Sequence, residues 1–237
     1  AVAIPTLTGS DPRGGRNLRI AGGRRARTLC LLRALDSLAA MKVPESGMPD
    51  EAYWESLFDI PLILERLKID QTVAHVAELG CGYGTFTLPV ARRIRGNMFT
   101  FYIEPEMIAH TLARAEEVGV RNLSAALRDV LATGFGLESG CCDAVLLFNI
   151  LHFPQPENVV LKAAEILRPG GRVLAIHWRS DLATPRGPPL HLRPKPSDAD
   201  RWANAAGLSV TATVELPPWH FGVALTKGLP LESKVVL

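Results

Sequence analysis

This sequence predicts an α/β fold built on a doubly wound, mostly parallel sheet, and three observations predict it. From Pro49 onward, strand-length apolar runs alternate with helix-length amphipathic stretches. A glycine-rich turn (Gly80-Cys81-Gly82-Tyr83-Gly84) joins the first run to the helix after it. The run Cys142–Phe148 reads as apolar, as a central parallel strand covered on both faces requires.

The elements follow in order. Residues 50–68 pattern as one amphipathic helical stretch, interrupted at Pro61, that packs on the sheet or lids a cleft. Val73–Leu79 is the first strand and Thr85–Ile94 its crossover helix. Met98–Ile103 is the second strand, and Glu106–Val118 a helix ending near Gly119. Leu123–Leu127 and Cys142–Phe148 are strands three and four, joined by a short Gly-rich link. Glu157–Leu167 is a helix stopped by Pro169-Gly170-Gly171, and Arg172–Trp178 is the fifth strand. Crossovers of this length are right-handed. Residues 184–196 are Pro-rich and basic, a loop with too few backbone donors for regular structure. Ser197–Ala206 is a helix with Ser197 as N-cap and Gly207 as its stop. Leu208–Leu216 and His220–Leu225, joined by Pro217-Pro218-Trp219, read as an antiparallel hairpin.

Composition narrows the class. At 47% hydrophobic the chain can bury one sizeable core, and no apolar run reaches the roughly 20 residues that span a bilayer. It therefore reads as a soluble chain with no membrane partner. The four cysteines show neither metal-ligand nor disulfide spacing, and adjacent Cys141 and Cys142 are expected on opposite strand faces. Reduced thiols in a cytoplasmic interior are the expectation. The first 40 residues hold seven arginines against two aspartates, which leaves the remainder net acidic. A mildly acidic body disfavours a large nucleic-acid footprint. The Arg-rich opening reads as a disordered tail, as an organelle transit peptide, or as sequence upstream of a start at Met41 or Met48. Within it only Thr28–Ala40, with leucines every third residue from Leu29, has helical periodicity.

The glycine register sets the cofactor class. A dinucleotide fingerprint needs glycines at positions 1, 3 and 6, whereas here they fall at Gly80, Gly82 and Gly84, with Thr85 in the sixth slot. Glu78, before the first glycine, would repel a pyrophosphate and suits a cationic amine. Glu104 ends the second strand, where a carboxylate can accept both hydroxyls of an adenosine ribose. Asp129, after the third strand, can bond an adenine amino group, with the Val130 backbone beside it.

The pieces AELGCGYG (77–84), FYIEP (101–105), RDV (128–130), CDAVLLFNILHF (142–153) and LRPGGRVLAIHW (167–178) together resemble the class I S-adenosylmethionine-dependent methyltransferases, the small stand-alone enzymes in particular, over roughly residues 73–227. The resemblance implies a seven-stranded Rossmann-like sheet whose last strand is antiparallel. It implies that Glu78, Gly80, Cys81 and Gly82 hold the methionine part of S-adenosyl-L-methionine, with S-adenosyl-L-homocysteine as product. It likewise implies Glu104 and Pro105 at the ribose, Asp129 and Val130 near adenine, and Asn149 beside the sulfonium. The chain then divides into an Arg/Gly-rich extension (1–48), expected to be poorly ordered, a methyltransferase domain (49–228) and a tail (229–237). The expected location is cytoplasmic, with organelle targeting through residues 1–40 as the alternative.

Methyl transfer from a sulfonium is an in-line displacement that depends on alignment. His152, after the fourth strand, is the candidate base, with Asn149 one turn away. His177 and His191 read as structural or exposed, and Tyr53 and Trp54 as core or lid. The fourth strand ends Asn149-Ile150-Leu151-His152, which lacks the Pro-Pro-aromatic signature of adenine-amino methylases, and no zinc spacing exists. A small-molecule acceptor is the leading expectation. An RNA or protein methylase would dock through Arg186–Lys195 and the Arg-rich opening. A cofactor-binding protein without turnover and an NAD(P) oxidoreductase are the remaining readings, the last disfavoured by the glycine register and Glu78.

Overall fold

The computed structural model describes residues 48–229. The leucine pattern at Thr28–Ala40, the Arg-rich opening and most of the 229–237 tail lie outside those residues.

Two short helices, α1 (Glu51–Glu55) and α2 (Ile60–Arg66), precede the sheet. This corrects the single helix interrupted at Pro61. The chain breaks before the proline, and Asp59 Oδ1 accepts from Leu62 N at 3.0 Å to cap a new helix that Pro61 opens. Proline lacks the N–H that a first helical turn leaves unused, so it starts α2 instead of splitting a longer helix. Then follow β1 (Val76–Leu79), α3 (Thr87–Arg93), β2 (Met98–Tyr102), α4 (Pro105–Glu117), β3 (Leu123–Leu127), α5 (Val130–Thr133), β4 (Cys142–Phe148), α6 (Glu157–Ile166), β5 (Leu167–Trp178), α7 (Asp198–Ala206), β6 (Leu208–Leu216) and β7 (His220–Lys227).

The seven strands lie in the order β3-β2-β1-β4-β5-β7-β6. The first five pair in parallel, while β7 is antiparallel to both β5 and β6. The period-2 alternation of β4 builds both layers at once. Val145 and Leu147 enter one core with Val159, Val160 and Ala163 of α6 and Trp202 of α7. Ala144, Leu146 and Phe148 enter the other with Ile63 and Leu64 of α2 and Val90 of α3. Asp143, the charged residue of that strand, accepts from His75 N at 2.7 Å and pairs with Arg168 at 2.6 Å, so its charge is satisfied.

Three further expectations shift. The fifth strand begins at Leu167, not Arg172, because β5 pairs with β4 on both sides of Pro169-Gly170-Gly171; Leu167 faces Cys142 and Arg172 faces Ala144 across a register shift. Ser197 stands at the N-cap position of α7, but its side chain makes no capping bond; Asp198 Oδ2 instead accepts from Lys195 N at 2.7 Å. Cys141 precedes the strand, so alternation does not separate it from Cys142, and their sulfurs lie 3.5 Å apart. Among the described residues no helix is long and apolar enough to cross a membrane.

Candidate functional site

Strand β1 lies between β2 and β4, so the chain leaves it toward opposite edges of the sheet and opens a crevice at the strand carboxyl ends. Into that crevice come the turn after β1 and the turn after β4. Gly80 N donates to Phe101 O at 2.8 Å, which ties the first turn to β2. Gly80 (φ +91°), Gly82 (φ +52°) and Gly84 (φ +81°) all take left-handed or related conformations that favour glycine, so the turn curls in a path closed to most side chains. A Cβ on Gly80 would lie 3.5 Å from Ile150 Cγ2, so the two turns abut.

Beneath the glycines sits Glu78, 1% exposed. Its Oε2 accepts from the Thr87 hydroxyl at 2.5 Å and the Thr100 hydroxyl at 3.0 Å. Burial pushes its carboxyl up to about 7 against these two bonds, which favour the ionised form. Cys81 is buried beside it, and burial together with the Glu78 charge pushes the thiol up to about 12. That thiol stays protonated and inert; what the residue offers the crevice is backbone.

Around this turn α4 acts as a brace. The Thr111 hydroxyl donates to Gly82 O at 3.1 Å and Arg114 Nη1 to Tyr83 O at 2.9 Å. Arg114 also meets Glu51 at 2.5 Å and Glu55 at 2.9 Å, and His110 meets Glu51 at 3.0 Å, so α1 is drawn against α4. The Tyr83 hydroxyl donates to Pro49 O at 2.7 Å, and Met48 Cε would lie 3.2 Å from a Cβ on Gly82. Residues 48–50 thus run across the glycine turn as a strap. None of these contacts shows in the sequence, because each joins residues about 30 or more positions apart.

The other predicted residues fall at the tips of neighbouring strands. Glu104 takes the N-cap position of α4 without capping it, and Pro105 opens that helix. Asp129 caps α5, its Oδ1 accepting from Ala132 N at 3.0 Å, while the Val130 side chain is buried in the core. Asn149 is the unusual one. Its backbone is left-handed (φ +57°), held by its N–H to Ile176 O at 2.8 Å, and both polar atoms of its carboxamide are buried without a hydrogen-bond partner among the described residues. Buried polar atoms are paired almost everywhere in folded proteins, so an orphan carboxamide in a crevice marks a place for a polar ligand group.

His152 is exposed, three residues beyond Asn149. Its Nδ1 lies 3.3 Å from Nε2 of His177, a buried residue on β5. Partial burial of its ring, with a smaller opposing pull from the Asn149 carbonyl, lowers the His152 pKa. His177 is driven down to about 3 by burial first and His152 second. His191 lies exposed on a short 3-10 turn, Tyr53 is exposed, and Trp54 packs edge-on against Phe58, 4.9 Å between ring centres.

The glycine turn, the orphan carboxamide and the strand-tip acids Glu104 and Asp129 all follow the carboxyl ends of parallel strands. Residues 76–171 match the family described as a methyltransferase domain. Over those residues the chain is similar to the class I S-adenosylmethionine-dependent methyltransferases. The cofactor of this family is S-adenosylmethionine, and the orphan carboxamide and the glycine cradle fit it. A curated relative, aklanonic acid methyltransferase DauC of Streptomyces sp. (strain C5), is 30% identical over 121 residues, 49% of this chain and 54% of the relative. The match thus spans about half of that relative's length. In fold the chain is similar to a SAM-dependent methyltransferase from Aquifex aeolicus, with TM-score 0.66 at 18% identity over 75% of this chain and 93% of that one. It is also similar to the [4+2]-cyclase SpnF, with TM-score 0.61 at 15% identity over 72% and 80%.

Proposed function

We propose that this chain transfers a methyl group from S-adenosylmethionine to a small-molecule acceptor. The observation that carries the reading is the buried, unpartnered Asn149 carboxamide beside the Gly80 turn, at the one crevice where strand order reverses. When bound, the cofactor supplies a sulfonium methyl, and displacement leaves the S–C electron pair on sulfur as S-adenosylhomocysteine. Glu78, Gly80, Cys81 and Gly82 hold the methionine end, the last three through backbone. Glu104, with Pro105 behind it, takes the ribose hydroxyls, and Asp129 with the Val130 backbone takes adenine. Asn149 orients the reacting end. His152 removes the acceptor's proton where the acceptor has one to lose.

Two observations favour a small acceptor over a nucleic acid. DauC, by its name, acts on aklanonic acid. Arg193, one of three basic side chains in the Pro-rich segment, turns inward and donates to the carbonyls of Pro188, Arg179 and Arg186. Leu190 and Leu192 stay exposed on the same segment, an apolar surface suited to an organic acceptor.

Calorimetry tests the cofactor assignment: S-adenosylmethionine and S-adenosylhomocysteine bind, NAD does not, and Gly80→Arg abolishes binding. Tight NAD binding would falsify it. An acceptor screen with methyl-labelled cofactor then reads turnover. The likeness to a cyclase raises a second reading, cofactor binding without methyl transfer, which predicts tight S-adenosylmethionine binding with no S-adenosylhomocysteine formed on any acceptor.

A further inference from the structure

Two imidazoles meet where β4 and β5 end side by side. His177 Nδ1 lies 3.3 Å from the carbonyl of Trp178, and its Nε2 lies 3.3 Å from His152 Nδ1. A carbonyl oxygen only accepts, so Nδ1 of His177 carries the hydrogen. The ring is 2% exposed, with His152, His220 and Arg193 around it, and it cannot hold a second proton there. Its Nε2 therefore presents a lone pair. Facing that lone pair, His152 Nδ1 must be the donor, and in the neutral ring Nε2 is then the nitrogen that carries the lone pair.

We infer that His177 is a positioning residue that locks His152 in its Nδ1–H tautomer, with Nε2 as the proton-accepting atom, through a hydrogen-bond chain anchored on the Trp178 carbonyl. The inference rests on the reading of His152 as base. In the reaction the acceptor's proton moves to His152 Nε2, and the acceptor's freed electron pair forms the new bond to carbon. The imidazolium keeps its Nδ1–H on His177, and no proton passes to His177. An orienting group hydrogen-bonded to Nδ1 plays this part for a catalytic histidine elsewhere, usually as a carboxylate. Here it is an uncharged imidazole. Since His152 is exposed, its proton can leave to water after turnover.

Long-range nitrogen-15 correlation spectra of the full chain loaded with S-adenosylhomocysteine read the tautomer directly, without turnover. His152 is expected as Nδ1–H in the unaltered chain. His177→Phe is expected to release it to the Nε2–H form, and His177→Gln, whose amide oxygen can accept, to restore Nδ1–H. Melting and S-adenosylhomocysteine binding check that the variants fold; if His177→Phe does not, the unaltered chain and His177→Gln still decide. On an acceptor found by the screen, His177→Phe lowers kcat about 10–100-fold with KM little changed, as loss of an orienting partner does. An Nε2–H tautomer in the unaltered chain, or one indifferent to His177→Phe, overturns the inference. If instead His152→Ala keeps full turnover while the spectra show Nδ1–H, the base reading fails and the hydrogen-bond chain stands.

Discussion

Glu78 places a carboxyl where water does not reach, held among the described residues by two threonine hydroxyls. Its folded pKa of about 7 exceeds its ordinary 4.5, so between those values the folded state binds a proton that the unfolded state has lost. Stability from this group is whole below pH 4.5 and falls as pH rises to 7, by about 3 kcal/mol. Glu78→Gln removes that loss, and urea midpoints at pH 5 and pH 8 measure it: the variant gains at pH 8 relative to the unaltered chain and not at pH 5. Asn149 presents the complementary trade. Its left-handed backbone costs about 1 kcal/mol relative to glycine, and its carboxamide is buried unpaired. Asn149→Gly is expected to melt no lower than the unaltered chain while binding S-adenosylmethionine at least tenfold more weakly, read by calorimetry beside thermal scans. A variant that binds normally would remove Asn149 from the site.

At the scale of elements, the Pro-rich segment after β5 shows how a stretch with no regular structure is still fixed. Arg193 reaches back to Pro188, Arg179 and Arg186 carbonyls at 2.7, 2.8 and 3.3 Å. At Gly187 the chain passes so close to Trp178 that a Cβ would lie 2.8 Å from the indole. Arg193→Ala strands those carbonyls, with an expected cost of about 3 kcal/mol, and it opens the segment to limited proteolysis near residues 184–193. Proteolysis unchanged from the unaltered chain would refute the staple. At the other side of the crevice, Glu51 and Glu55 of α1 pair with Arg114 of α4, while Trp54 of α1 packs against Phe58.

Across the whole molecule the buried titratable groups pull stability in opposite directions with pH. His177 and His220 are both pushed down to about 3, chiefly by burial. His220 is packed between Phe58 and Trp178, with ring centres 4.6 and 4.1 Å away. Both stay neutral in the folded chain while the unfolded chain binds protons below pH 6.5, so their contribution is lost as pH falls from 6.5 toward 3. Two such groups outweigh the opposite trend of Glu78. Stability is therefore expected to peak near pH 7 and fall steeply below pH 6, seen as denaturant midpoints over pH 4–8. His220→Phe keeps the ring contacts and flattens the acid limb; a limb as steep as before would show that another group sets it.

Much of the fold was legible because its signals are local. The alternating apolar runs, the glycine turn and the proline hairpin each declare themselves within about ten residues, and the strand bounds of β3, β4 and β6 match the sequence reading. The misplaced features have local causes too. Pro61 breaks a helix interior yet suits a helix start, and periodicity alone does not say which. Four-residue α5 is too short to show a period. By itself the sequence determined the element order, the doubly wound class and the residue types at the strand tips, because periodicity and turn chemistry act between neighbours. Only the tertiary structure decided that β7 lies between β5 and β6, that Glu78 turns under the glycines, that Asn149 is left unpaired and that His177 faces His152. Those outcomes depend on which distant side chains share one desolvated space, and no spacing along the chain encodes that.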